Sequence, residues 1–193
     1  MELLSFTAKP VNNKTVITEW ITTTEVNSDY FTVERSKNAR LNEEVGQAEE
    51  GTWEYVGTVD AAGNSTTTLN YSLEDKQPYM GTSYYRLKQT DFNGDYKYYG
   101  PVPVRLEGID IISLYPNPAT DHFEYLVVSS MQDEVVRTLT DVLGRNVYIE
   151  INEVQDGENK FNLRIPDLSS GMYLIQLKTG SGKYRTQKQF VVR

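Results

Sequence analysis

"SLYPNPATDHF", residues 113–123, interrupts a chain that otherwise runs in short stretches of alternating apolar and polar residues. Proline has no N–H for a sheet ladder and fixes φ at about −65°, so two prolines around Asn117 cannot sit inside a central strand. The residue ahead of each proline is also pushed away from helical geometry. Pro116-Asn117-Pro118 therefore reads as a break between an incoming strand, "IISLY", and an outgoing one, "FEYLVVSS".

Working outward from that break, both sides show the same pattern. Short strands alternate with turn signals, and no long stretch holds a 3.6-residue period. Upstream, "LSFTAK" runs into the turn "PVNNKT". "VITEW" and "YFTVERS" follow as two strands, with Trp20 on the face of Val16 as a core anchor. "NARLNEEVGQAEEG" (38–51) reads as an acidic surface loop or mobile hairpin, and "AAGNSTTT" as a polar connection between strands. In "SYYRLKQTDFNGDYKYYGPVPVRL", Asn93-Gly94 predicts a type I′ hairpin turn. One of Tyr84 and Tyr85 is expected to tie down the preceding loop through its hydroxyl, and Tyr85, which shares a face with Leu87, is the one preferred for the core. Pro101 and Pro103 place the last strand of this half at an edge.

Downstream, "VVRTLTDVLGRNVYIEI" reads as a hairpin with Asp141 opening the turn and Gly144 taking its left-handed position. "TGSGK" turns the final hairpin. The count is about seven strands on each side, which predicts an all-β protein of two Ig-like or fibronectin type III-like antiparallel β-sandwiches in tandem. The boundaries are 1–107 and 108–193, with "EGID" (107–110) as the joint and 106–112 as the expected site of proteolysis.

The composition narrows the chemistry. A chain of 193 residues fits one or two domains of about 150 residues each. It contains no cysteine, which removes disulfides, thiolate metal sites and cysteine nucleophiles. Its single histidine, His122, makes a catalytic triad or a histidine metal cluster improbable. The net charge is −8, a poor match for nucleic acid, and no apolar run is long enough for a membrane span. "MELLSFTAKP" has neither the basic start nor the apolar core of a secretory leader.

The residual site candidates have plain explanations. "DFNGD" (91–95) imitates the start of a calcium loop without the later ligands. "TGSGK" (179–183) lacks the spacing of a phosphate loop. Asn13, Asn64 and Asn70 head glycosylation triplets of the kind that Ser/Thr-rich chains produce by chance. Asp121-His122 reads as a turn aspartate beside an exposed histidine. No catalytic, cofactor or metal residues are assigned. One charge feature survives. No acidic residue follows Asp167, whereas Lys178, Lys183, Arg185 and Lys188 do. They read either as protection of an exposed edge strand or as a basic docking surface for an acidic partner.

Four motifs in the second half, taken in order, resemble the type A C-terminal sorting domain of the Bacteroidetes type IX secretion system, the Por system. "YPNPATD" matches at Pro116, Asn117, Pro118 and Asp121, and "DVLGRNV" at Asp141, Gly144, Arg145 and Val147. "LSSGMYLIQL" matches at Leu168, Gly171, Tyr173 and Leu177, and "KQFVVR" at Lys188 and Val192, with Gly144 and Gly171 both expected to mark backbone positions that a side chain would strain. "VITEW", "FTVERS" and "YYRLKQTDFNGDYKYYG" in the first half resemble the fibronectin type III-like modules that precede such domains.

The resemblance implies a folded, non-catalytic sorting signal with a β-sandwich spacer in front, at the C-terminal end of a larger secreted protein. Met1 would then be an artificial start. The implied partners are the outer-membrane translocon, a shuttle protein and a sortase, with attachment to anionic lipopolysaccharide after processing. The implied destination is the cell surface or medium, reached through the periplasm, and any catalytic domain would lie upstream. The alternative is a carbohydrate- or protein-binding adhesin module in the first sandwich, with Tyr79, Tyr96 and Tyr98 as its platform.

Overall fold

A computed structural model describes residues 1–38, 40–41, 48–49, 52–165 and 167–193. The described residues contain strands and turns and no helix. The acidic stretch 38–51 therefore lies largely outside the described residues. Within it, β3 (Arg40–Leu41) pairs antiparallel with β4 (Ala48–Glu49). The chain divides into two compact units, Met1–Leu106 and Glu107–Arg193.

The first unit contains β1 (Glu2–Val11), β2 (Thr15–Ser36), β5 (Glu54–Ser65), β6 (Leu69–Asp75), β7 (Gly81–Asp91) and β8 (Tyr96–Leu106). The expected strands "VITEW" and "YFTVERS" are one continuous strand, β2. Its first part lies between β1 and β6, and its second between β5 and β7. The switch of sheets comes at Asn27, where φ is +59° and the register slips.

A buried glutamate, Glu25, stands beside this bend. Its carboxylate accepts hydrogen bonds from the Thr22 hydroxyl (2.8 Å), the Tyr71 hydroxyl (2.8 Å) and the Ala62 N–H (2.9 Å). Three donors offset the desolvation of the charge. Burial first, and the Glu25 carboxylate second, push the Tyr71 hydroxyl up to about 12. The same contacts correct the reading of "AAGNSTTT". Ala61–Ser65 continue β5, because Ala62 is held by Glu25 and Ser65 pairs with Glu25 across the strands.

The core of this unit gathers Val16, Trp20, Phe31, Val33, Tyr85, Leu87, Val104 and Leu106. Trp20 meets Phe31 edge-on at 5.4 Å and stacks on Tyr71 at 5.6 Å. Tyr85 is fully buried, and its hydroxyl donates to Asp75 Oδ2 at 2.8 Å, at the end of β6. Arg35 holds the same carboxylate at 2.7 Å. The β7–β8 turn is not type I′. Only Gly94 takes positive φ, and the Gly94 N–H donates to Asp91 O while the Asp91 N–H donates to Asp95 O. That is a type I turn closed by a glycine bulge, in which Asn93 keeps an ordinary backbone.

The second unit contains β9 (Ile109–Tyr115), β10 (His122–Ser129), β11 (Asp133–Asp141), β12 (Asn146–Val154), β13 (Gly157–Arg164), β14 (Gly171–Thr179) and β15 (Arg185–Val192). Three strands form one sheet in the order β13-β10-β9, and four form the other in the order β12-β11-β14-β15. Both contribute to one core, where Phe123 of the first sheet lies 4.7 Å from Phe190 of the second. This is an antiparallel sandwich. The first unit repeats the arrangement, with the two parts of β2 serving as its second and third strands.

The expected proteolytic joint, 106–112, is mostly structured. Ile109–Ile112 belong to β9, and Gly108 is held reciprocally by Ser130, donating to its Oγ at 2.7 Å and accepting from its N–H at 2.9 Å.

Candidate functional site

The break that separates β9 from β10 does more than stop a strand. Both X-Pro bonds of Tyr115-Pro116-Asn117-Pro118 are cis. The turn brings Asn117 alongside the last strand, where its Oδ1 accepts the Val191 N–H at 2.9 Å. Ala119, fully buried, then makes a parallel bridge with Val192. Its N–H donates to Val191 O at 2.7 Å, and its carbonyl accepts the Arg193 N–H at 2.8 Å. The first and the last of the four motifs are thus zipped together, which shields part of the β15 edge.

The third motif joins them through the sheet register, with Gly171 opposite Val192 and Tyr173 opposite Phe190. The Tyr173 hydroxyl donates to Ser169 O at 2.8 Å, tying down the loop ahead of its own strand as Tyr85 does in the first unit. Leu168 packs against the core, and Leu177 lies within it. The middle motif arrives by the same route, since Asp141 is opposite Tyr173. All four motifs therefore reach one end of the second sandwich, with Leu177 and Lys188 running back from it along β14 and β15.

At that end the Asp141–Arg145 turn is rigidly built. Asp141 Oδ1 accepts the N–H groups of Leu143 and Arg145, each at 2.9 Å, and Oδ2 accepts Arg145 Nε at 2.8 Å. The Arg145 N–H first, and its guanidinium after it, hold the Asp141 carboxyl below the usual carboxylate range. Gly144 takes φ +79°. The turn lifts Val142 and Leu143 into solvent, 75% and 74% exposed, and Tyr115 and Met172 are exposed nearby in sequence to the other motifs. A shallow depression of about 150 Å³ lies beside the turn, lined by residues that include Asp141, Val142, Met172 and Tyr173.

Asp121 sits in the same group of loops. Its carbonyl accepts the Ile165 N–H at 2.7 Å, and its carboxylate meets His122 Nδ1 at 2.7 Å. The imidazole contact holds that carboxyl below the ordinary range. Gly171 needs no special backbone, because its φ is not positive and an added Cβ would meet nothing closer than 3.9 Å. Val147 faces outward on β12 and has no part in the core.

The four basic residues are used differently from one another. Lys183 donates to the Glu107 carboxylate at 3.2 Å, and Lys188 to the carbonyls of Ile111 and Ile112. Lys178 and Arg185 face each other across β14 and β15, at the end of the sandwich away from the Asp141–Arg145 turn. Among the described residues no group of His, Cys, Asp and Glu could hold a metal ion, and no helix is long and apolar enough to cross a membrane.

In the first unit Tyr96 and Tyr98 meet edge to face at 5.5 Å, with Lys88 over Tyr96 and Arg86 over Tyr98. Tyr79 is engaged elsewhere, by Arg35 and Lys37.

Two features escaped the sequence reading. Arg137 is buried and reaches the Tyr125 hydroxyl and the Glu150 carboxylate. Burial raises the Tyr125 hydroxyl's pKa, and the Arg137 cation opposes the rise. The alternation Val135, Arg137, Leu139 already placed that cation on the core face. The exposed Val142-Leu143 tip gave a plainer signal, two apolar residues inside a polar turn.

Residues 113–193 match the family model of the secretion system C-terminal sorting domain, the Por secretion tail. No curated protein matches the chain. Similar solved structures include dimeric latent PorU from Porphyromonas gingivalis, at 15% identity and TM-score 0.43, covering 99% of this chain and 20% of that one. Another is the FN1–FN3 domains of chicken CNTN1, at 9% identity and TM-score 0.32, covering 100% of this chain and 67% of that one. The chain thus spans a fifth of the length of PorU.

Proposed function

We propose, from the premise that residues 113–193 are a secretion system C-terminal sorting domain, that the second unit is an export address read by shape at the end where its four motifs meet. The convergence of those motifs carries the reading. Tyr173, Leu177 and Val192 build the core beneath, Asn117 and Ala119 lock the last strand, and Asp141, Gly144 and Arg145 hold a turn with an apolar tip. A contact surface made this way needs no reactive group.

On this reading the chain is the C-terminal portion of a larger secreted protein. Its second unit engages the type IX outer-membrane translocon, with a shuttle protein and a sortase acting on the same domain. The cargo passes through the periplasm to the cell surface, where anionic lipopolysaccharide receives it. The first unit is a non-catalytic spacer.

The test places the whole chain behind a fluorescent reporter bearing a signal peptide, in a bacterium with this secretion route. Surface or medium fluorescence that depends on the translocon is the expected result. Val142→Ser with Leu143→Ser is expected to strand the reporter in the periplasm while the purified variant keeps its melting temperature. Periplasmic retention of the unaltered fusion overturns the export role. Normal export of the double variant overturns the assignment of the apolar tip.

A further inference from the structure

Each sheet edge of the second unit has an occupant or a polar guard, except one. Residues 117–119 lie along β15, whose exposed row is Arg185, Gln187 and Gln189. The outward row of β13 is Glu158, Lys160 and Asn162. Lys188 and Thr186 of β15 bond to β9. The fourth edge, β12, pairs with β11 on one side only. Its outward row is Val147, Ile149 and Ile151, with Ile149 61% and Ile151 63% exposed. The strand carries no lysine or proline, and its one irregularity is the register slip at Val147, so from Tyr148 onward its edge, with an apolar outer face, invites another strand.

The charges at its two ends say which strand. Glu153 lies directly opposite Glu134 of β11, a like-charge pair that gains from a cation beside it. Arg145, at the other end, uses Nε and Nη2 on Asp141 and is otherwise 73% exposed. Two copies of β12 running antiparallel about a two-fold axis at Ile149 bring Arg145 of each copy, in the turn just ahead of the strand, toward Glu153 of the other. The same register sets Val147 against Ile151 and Ile149 against itself. Shifting the axis to Glu150 would set two glutamates face to face. We propose that β12 is a self-association edge, where two copies of this chain join their four-stranded sheets about an axis at Ile149. This is independent of the export reading.

One strand pair is a small contact, so the dimer is expected to form between about 10 µM and 1 mM, followed on the full chain by sedimentation equilibrium. Ile149→Lys sets two cations face to face and should abolish it with an unchanged melting temperature. Ile149→Thr, which keeps a β-branched strand residue, should weaken it should the lysine variant fold poorly.

The absence of cysteine makes the register directly testable. Directly opposed antiparallel residues have Cα atoms roughly 4.5–5.5 Å apart, within the disulfide range of about 4.4–6.8 Å. Ile149→Cys should therefore oxidise to a covalent dimer. Val147→Cys and Ile151→Cys should each form no disulfide alone, since like positions lie about 13 Å apart along the strands, and should cross-link when mixed. A chain that remains monomeric over the whole range overturns the proposal. So does a dimer that survives Ile149→Lys, or equal cross-linking of all three cysteine variants.

Discussion

Glycines 144 and 171 belong to different motifs and look alike in sequence, yet they do different work. Gly144 has φ +79°, where an added Cβ meets no atom within 4 Å but the backbone itself is strained for any L side chain. Gly171 opens β14 with an ordinary strand backbone and room for a methyl group. Gly144→Ala is therefore expected to cost about 1 kcal/mol or more. Gly171→Ala should be neutral or slightly stabilising through the unfolded chain. Urea unfolding of the two variants checks the contrast, and equal losses would show that the strain argument misplaces the role of Gly144. The sequence could predict the Asp141–Arg145 turn because Asp and Gly each have a local reason to be there. It could not separate the two glycines, since a strand-opening glycine and a left-handed one share the same letter.

At the scale of elements, β15 depends on partners far away in the chain. It pairs with β14 on one side, and on the other Asn117 and Ala119 clasp Val191 and Val192. Phe190 and Val192 sit in the core. Deleting Gln187–Arg193 removes two core side chains and most of a sheet edge. It also leaves the Ala119 N–H and carbonyl without partners at a buried residue. The second unit should lose cooperative unfolding, read as collapse of its dispersed amide resonances, and export should stop with it. A truncated chain whose second unit keeps native dispersion would show that β15 is dispensable. Strand number and the 113–123 break were legible from alternation and proline chemistry, which act locally. The unbroken course of β2 was not. Its bend rests on Glu25 meeting Tyr71 and Ala62, residues 46 and 37 positions away. Nor was the parallel clasp of 117–119 on β15, which only the closed sandwich brings together.

For the whole molecule, the two cores are made of separate residues, Val16 to Leu106 for one and Ile109 to Val192 for the other. Each sandwich buries its own apolar faces, so each has its own source of cooperativity. Both tryptophans, Trp20 and Trp53, fall in the first unit, so indole fluorescence follows that unit, while circular dichroism follows the strands of both. Phe190 is packed between Phe123 at 4.7 Å and Tyr173 at 5.7 Å. Phe190→Ala should leave a cavity costing about 3–5 kcal/mol, a large share of what a domain of this size has to lose. The urea midpoint seen by circular dichroism should split, with one component moving to lower denaturant, while the tryptophan midpoint stays where it is in the unaltered chain. Trp20→Ala, which empties the centre of the other core, should do the reverse and leave the component of the second unit in place. If Phe190→Ala moves the tryptophan transition by the same amount as the dichroism, the two sandwiches unfold as one cooperative body and each core's account has to be written jointly.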